Sequence, residues 1–358
     1  MKRLMAFIIF LLLVSVLPAF TQQRPHYTQY VINPFIINPA IAGIDNYVDL
    51  KVSARDQWAG IKGAPRTTYF TIHAPIGKND YRLSSTSFGV PGENPRGKAY
   101  WENYTAADPH HGAGLSIIND KTGNFNFFSA AATYAYHLGL NATTNISAGL
   151  SAGITTVSVN RSNHDFDGYG NPSDPAFGSV TAEQLRKIRP QMAAGIWLYA
   201  RNYFVGLSAQ QIVPQTLSFV DDNASILQKG KLIPHLFLTA GYRFLVGNDF
   251  NVTPSLMMKY IKGSSRNGFQ PEFNAKVQYR DVLWVGGSYR YRDSYAGMLG
   301  LNVGNRVTLS YAYETPVNGD LIRNRGANIL SGFHNGTHEL VIGFILGNKY
   351  SEACPRCY

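Results

Sequence analysis

Charge is scarce in this sequence: Asp, Glu, Lys and Arg make up 15% of its 358 residues, where a soluble domain carries about 25%. Something other than charge must therefore cover its surface. Cysteine is nearly absent, with only Cys354 and Cys357, so no disulfide framework holds the fold. Beyond residue 17 no apolar run approaches the roughly 20 residues a membrane helix needs, which excludes a helical membrane protein. Catalytic patterns are missing too. There is no Gly-rich phosphate loop after a strand, no nucleophile elbow and no pair of carboxylates placed for a cleft, so no catalytic residue and no cofactor is expected. The histidines, including adjacent His110 and His111, have no ligand spacing, and no metal site is expected either. The net charge of +10 is spread along the chain. It lacks the clustering of a nucleic-acid footprint and suits contact with an anionic lipid surface or an acidic partner.

What the chain does contain is aromatic residues (Tyr 22, Phe 20) and 34 glycines, at a mean hydropathy of −0.14. At the N-terminus Lys2 and Arg3 precede an apolar stretch from Leu4 to Leu17, then Pro18, Ala19 and Thr21. That order reads as a secretory signal peptide over 1–21. No Cys follows it, which disfavours a lipoprotein. For an exported chain with little charge and near-neutral hydropathy, lipid is the economical cover. A transmembrane barrel alternates lipid-facing apolar and lumen-facing polar residues and averages out near zero.

Period-2 alternation over the length of a tilted membrane strand occurs fourteen times: 47–57, 66–76, 111–119, 126–137, 143–159, 191–200, 203–212, 233–245, 249–260, 271–281, 282–292, 295–304, 305–315 and 337–347. An all-β antiparallel barrel with both strand ends on the periplasmic side follows. In 272–281, Phe273, Ala275, Val277 and Tyr279 face lipid, while Glu272, Asn274, Lys276, Gln278 and Arg280 face the lumen. Val307, Leu309, Tyr311 and Tyr313 oppose Arg306, Thr308, Ser310 and Glu314, and Leu340, Ile342, Phe344 and Leu346 oppose Glu339 and Gly343. Tyr242, Tyr260, Tyr279, Tyr291 and Tyr313 fall near strand ends, as an aromatic girdle requires. The connections alternate between tight and long, except for 77–110, which is a long link on the periplasmic side. That stretch is a periplasmic excursion, a lumen insert or a misplaced strand pair.

Ahead of the first strand lies Tyr27-Thr28-Gln29-Tyr30-Val31-Ile32-Asn33-Pro34-Phe35-Ile36-Ile37-Asn38-Pro39-Ala40-Ile41-Ala42-Gly43. The two Asn-Pro steps can continue neither a helix nor a paired strand, and the segment is too apolar for water. Residues 22–46 are therefore expected to pack as a plug within the barrel lumen or against its periplasmic mouth, or else to form a periplasmic segment. Residues 47–347 would form the barrel and 348–358 a periplasmic tail.

Here the sequence resembles the PorP/SprF family of Bacteroidota outer-membrane proteins. The resemblance rests on Tyr27-Thr28-Gln29-Tyr30, Asn33-Pro34, Asn38-Pro39-Ala40, Ala42-Gly43, Arg55-Asp56-Gln57-Trp58-Ala59-Gly60, Gly63-Ala64-Pro65-Arg66-Thr67 and the stretch Gly112 to Gly123. It implies an outer-membrane barrel tied to type IX secretion and gliding motility. The implied role is non-enzymatic: assisting export or surface anchoring of large adhesins with a C-terminal sorting domain, with periplasmic or outer-membrane secretion components as further partners and no nucleic acid. Relative to that family 77–110 looks like an insertion. A transporter of hydrophobic small molecules, similar to the FadL family, is the alternative.

The candidate partner-binding or plug residues are Asn33, Pro34, Phe35, Asn38, Pro39, Arg55, Gln57, Trp58, Phe166 and Tyr169. A guanidinium and an indole at a loop base suit a partner peptide, although Arg55 pairing with a lumen acid explains that position equally. The oxygen-rich run Asp165, Asp167, Gly168, Gly170, Asn171 and Asp174 lacks the bidentate Glu of a calcium loop and reads as a solvated tip. Cys354 and Cys357 sit in a tail without a helix to activate them, so a local disulfide is expected.

Overall fold

The computed structural model describes residues 27–78, 84–87, 104–159, 186–213, 215–217, 230–247, 249–261, 268–280, 282–303, 306–317 and 336–347. Its strands are β1 (Val48–Asp56), β2 (Arg66–Ile76), β3 (His110–Thr122), β4 (Phe125–Asn141), β5 (Thr144–Val159), β6 (Arg186–Ala200), β7 (Tyr203–Gln210), β8 (Gln215–Leu217), β9 (Gly230–Leu232), β10 (His235–Tyr242), β11 (Phe244–Val246), β12 (Phe250–Ile261), β13 (Phe269–Tyr279), β14 (Leu283–Arg290), β15 (Ser294–Val303), β16 (Val307–Pro316) and β17 (Thr337–Leu346). β8 and β9 form a separate ribbon, and β11 continues β10, both pairing with β12. Fourteen antiparallel staves remain, each bonded to its sequence neighbour, and β1 pairs with β17 to close the ring. Closure leaves no free edge, as backbone in a bilayer requires.

All fourteen strands expected from alternation are present, because a half-lipid, half-lumen wall writes period two directly into the sequence. Along β1 the inward Asp49, Lys51, Ser53 and Arg55 are buried, whereas Val52 and Ala54 are exposed to the lipid side. β13 repeats the pattern, with Glu272, Asn274, Lys276 and Gln278 inward and Phe273 and Tyr279 outward. The differences lie at the ends. β6 starts at Arg186, five residues ahead of the expected 191, and the stave expected over 233–245 breaks at Arg243. Pro254 stands opposite that break and has no N–H to give. On its other side the Arg243 N–H donates to Asn202 O, next to β7.

The links 142–143, 201–202, 247–249, 280–282 and 304–306 are short and lie at the end where β1 begins. The opposite end carries 160–185, 211–234 and 317–336. Short turns face the periplasm and long loops the exterior, so β1 runs outward. Outward aromatics pair at both levels: Tyr242–Phe244 (4.6 Å) and Phe250–Tyr279 (5.0 Å) on the periplasmic side, Tyr260–Phe269 and Tyr289–Tyr295 (both 4.9 Å) on the outer side.

Candidate functional site

Residues 27–47 lie against the inward faces of the strands, and most of their side chains are buried. Ile32, Phe35, Ile36, Ile37, Ala40, Ile41 and Ile44 are all at most 5% exposed. Each Asn-Pro step starts one 3-10 turn, Pro34–Ile36 and Pro39–Ile41. Proline suits the first position of such a turn because its missing N–H is not needed there. Asn38 is extended (φ −137°, ψ 113°), as a residue before proline must be, and its Oδ1 accepts from Ala40 N at 3.0 Å.

The wall reads this segment largely through its backbone. Ser208 Oγ and Gln210 Nε2 donate to Ile37 O (2.6 and 2.8 Å), and Ser147 Oγ donates to Ala40 O (2.7 Å). His137 Nε2 donates to Ala42 O (2.8 Å) and His110 Nε2 to Gly43 O (3.1 Å), while Gly43 N donates to His73 Nδ1 (3.3 Å). Asn38 Nδ2 reaches the wall carbonyls of Ile196 and Leu207, and Asn33 Nδ2 donates to Thr71 Oγ1 at 2.9 Å.

Close approach depends on inward glycines. A Cβ on Gly195 would overlap Asn38, one on Gly149 would overlap Pro39 and Ala40, one on Gly112 would overlap Ala42, and one on Gly114 would overlap Phe35. Phe35 sits in that last hollow against His73, with ring centroids 4.8 Å apart.

The upstream end of the segment meets a buried ionic group. Arg55 binds Glu314 (3.2 Å) and Glu339 (3.1 Å), and Arg290 binds Glu272 and Glu314 (both 2.9 Å). Thr28 inserts among them: its N–H donates to Glu339 (2.9 Å), its hydroxyl to Glu314 (2.5 Å), and it also contacts Arg55. Arg55, Glu314 and Glu339 all lie at the loop-side ends of β1, β16 and β17. His73, His110 and His137, around Gly43, lie toward the periplasmic ends of β2, β3 and β4. The segment thus runs down the whole lumen, loop side first; the sequence offered the lumen or its periplasmic mouth and gave no direction. Hydrophobic pattern records that a residue is buried and carries no depth or direction.

Arg55 therefore faces the lumen, apart from Trp58, which is 47% exposed in the β1–β2 loop at φ 53°. Gln57 N donates to Pro65 O and closes that loop. Phe166, Tyr169, the oxygen-rich run around them, Cys354 and Cys357 lie outside the described residues. Sequence reasoning missed His73, His137, Ser147, Ser208 and the glycine hollows as partners of the segment. Glycines recurring at inward positions of β3, β5 and β6 were the available signal.

Residues 84–87 of the 77–110 link also lie inward. Ser84, Ser85 and Ser87 are at most 2% exposed. Ser87 donates to Asp45, and Arg243 donates to the carbonyls of Ser84 and Ser85. Burial raises the Asp45 carboxyl above the usual carboxylate range, and the Ser87 hydrogen bond opposes that rise.

Residues 19–344 match the family described as type IX secretion system membrane protein PorP/SprF. The chain belongs to the PorP/SprF family. It is accordingly an outer-membrane protein associated with type IX secretion. No curated protein matches the chain. Among solved structures this family member is similar to the Acinetobacter baumannii outer membrane protein Omp33, at 8% identity and TM-score 0.45, covering 85% of this chain and 100% of that one. It is also similar to the CymD monoaromatic hydrocarbon channel, at 11% identity and TM-score 0.45, covering 89% and 92%. A mutant Rh. blastica porin follows at 10% identity and TM-score 0.30, covering 84% and 99%. Likeness of this degree carries nothing beyond the barrel, which the strand pairing already establishes.

Proposed function

We propose that the protein is a non-enzymatic accessory of type IX secretion that assists export or surface anchoring of large adhesins bearing a C-terminal sorting domain. The loop-side end is the docking face, and residues 22–46 act as a plug that keeps the lumen closed. One observation carries the second half of this reading. The segment engages β1 to β7 and β13, β16 and β17 around the ring, so the barrel presents a filled body to its partners. Family membership supports the first half. Secretion components in the periplasm or outer membrane are the remaining partners.

Deleting the gene is expected to leave general secretion intact and remove one or a few large adhesins from the cell surface, read by mass spectrometry of surface-shaved and secreted fractions. An adhesin profile identical to that of the parent strain would sink the proposal. The plug has its own test: Phe35→Asp with Ile37→Asp is expected to raise conductance in planar bilayers while the barrel stays heat-modifiable. Unchanged conductance from a folded variant would reassign the segment to a non-occluding role. Uptake of hydrophobic small molecules is less well supported, since the inward faces carry Asp49, Lys51, Arg55, Glu272, Lys276 and Arg290.

A further inference from the structure

The connection between β2 and β3 interrupts the rhythm of short periplasmic turns, and nothing in the secretion reading explains it. Its Ser84–Ser87 turn is a compact unit. Ser87 N donates to Ser84 O (3.2 Å), Ser84 N donates to Ser87 Oγ (2.8 Å), and the hydroxyls of Ser84 and Thr86 lie 2.9 Å apart. Polar contacts tie this connection both to the barrel wall and to the inner segment. Arg243, inward at the break between β10 and β11, donates to the carbonyls of Ser84 and Ser85. Ser87 donates to Asp45, which is 4% exposed. Lys78, where the connection leaves β2, donates to Ile44 O at 2.8 Å. Ser85 and Thr86 also share a cavity wall with Tyr30, Val31, Pro34 and Ile37. The connection thus holds both the base of the inner segment and its flank, from the periplasmic side.

We infer that the Ser84–Ser87 turn is a latch on the inner segment, and that its withdrawal from Arg243 and Asp45 releases the segment. Withdrawal takes Ser87 from a buried carboxylate and Lys78 from the Ile44 carbonyl. A buried acid stripped of its donors is costly until water reaches it, so the base of the segment must leave with the latch. The latch and the segment then move as one two-state unit, biased from the side opposite the loops.

This inference rests on the segment being a plug, and the test separates the two. Single-channel conductance of the full-length protein is recorded for Arg243→Ala and, separately, for Phe35→Asp with Ile37→Asp, each variant first shown to be heat-modifiable. Arg243→Ala removes the bonds to Ser84 O and Ser85 O and is expected to raise open-state occupancy at least about tenfold, the factor for a single charge-assisted hydrogen bond. If the segment variant opens the barrel and Arg243→Ala does not, the latch is overturned and the plug stands. If neither opens it, the plug reading fails and the latch with it. Should Arg243→Ala leave the barrel unfolded, a second variant decides. Asp45→Cys with Ser87→Cys, with Cys354→Ser and Cys357→Ser, is expected to stay closed when oxidised and to open when reduced. Equal conductance in both redox states overturns the latch.

Discussion

Arg55 carries two acids at once. With its side chain 3% exposed, it bonds Glu314 and Glu339 inside the barrel and touches Thr28. Removing one partner of a buried ionic group strands the others, a loss of about 3–5 kcal/mol. Arg55→Met is therefore expected to lower the midpoint of urea unfolding in lipid vesicles by a large margin. Arg66→Ala, which breaks the exposed pair with Asp56, is expected to cost under about 1 kcal/mol. Equal shifts for the two would mean that water screens the Arg55 group. The glycine hollows make a second, steric prediction. Gly195→Leu places a branched side chain where Asn38 crosses the wall, so the barrel is expected to form while the segment becomes open to added protease. A segment as protected as in the parent protein would show that the wall yields instead.

At the scale of elements, parity of the strands fixes which links face which compartment. Trp58→Cys, in the first outer loop, is expected to react with a membrane-impermeant maleimide on intact cells, and Thr143→Cys, in the β4–β5 turn, only after lysis. The reverse pattern would invert the barrel. The strands were legible in the sequence because each wall residue answers to lipid or lumen in strict alternation, so β13 or β17 can be read from its own ten or eleven residues. The inner segment was legible only as apolar and unable to extend a strand. Its hydrogen bonds run to residues up to 311 positions away, and no local pattern encodes such a pairing. The Arg243 break was half visible, since Pro254 marks a weak point in β12, but its use by Ser84 and Ser85 depends on a contact 158 residues distant.

For the whole molecule, the direction of the inner segment matters more than its presence. Thr28 lies level with the loop-side ends of β1, β16 and β17, so Thr28→Cys with Glu339→Cys is expected to form a disulfide that locks the segment at the outer end. Free thiols in the oxidised, folded protein would place the segment elsewhere. The seam between β1 and β17 joins the first stave to the last, and the segment is the stretch of chain immediately ahead of β1. Once that seam is zipped, the segment would have to be pushed up a closed tube against the grain of its own anchor at Asp45. Entry while the sheet is still open avoids that path. The expected order of biogenesis is therefore lumen first and β1–β17 seam last, around its contents. Variants that weaken seating, such as Gly195→Leu, are then expected to slow the appearance of the heat-modifiable form in pulse-chase labelling, a delay in maturation that the finished barrel would no longer show.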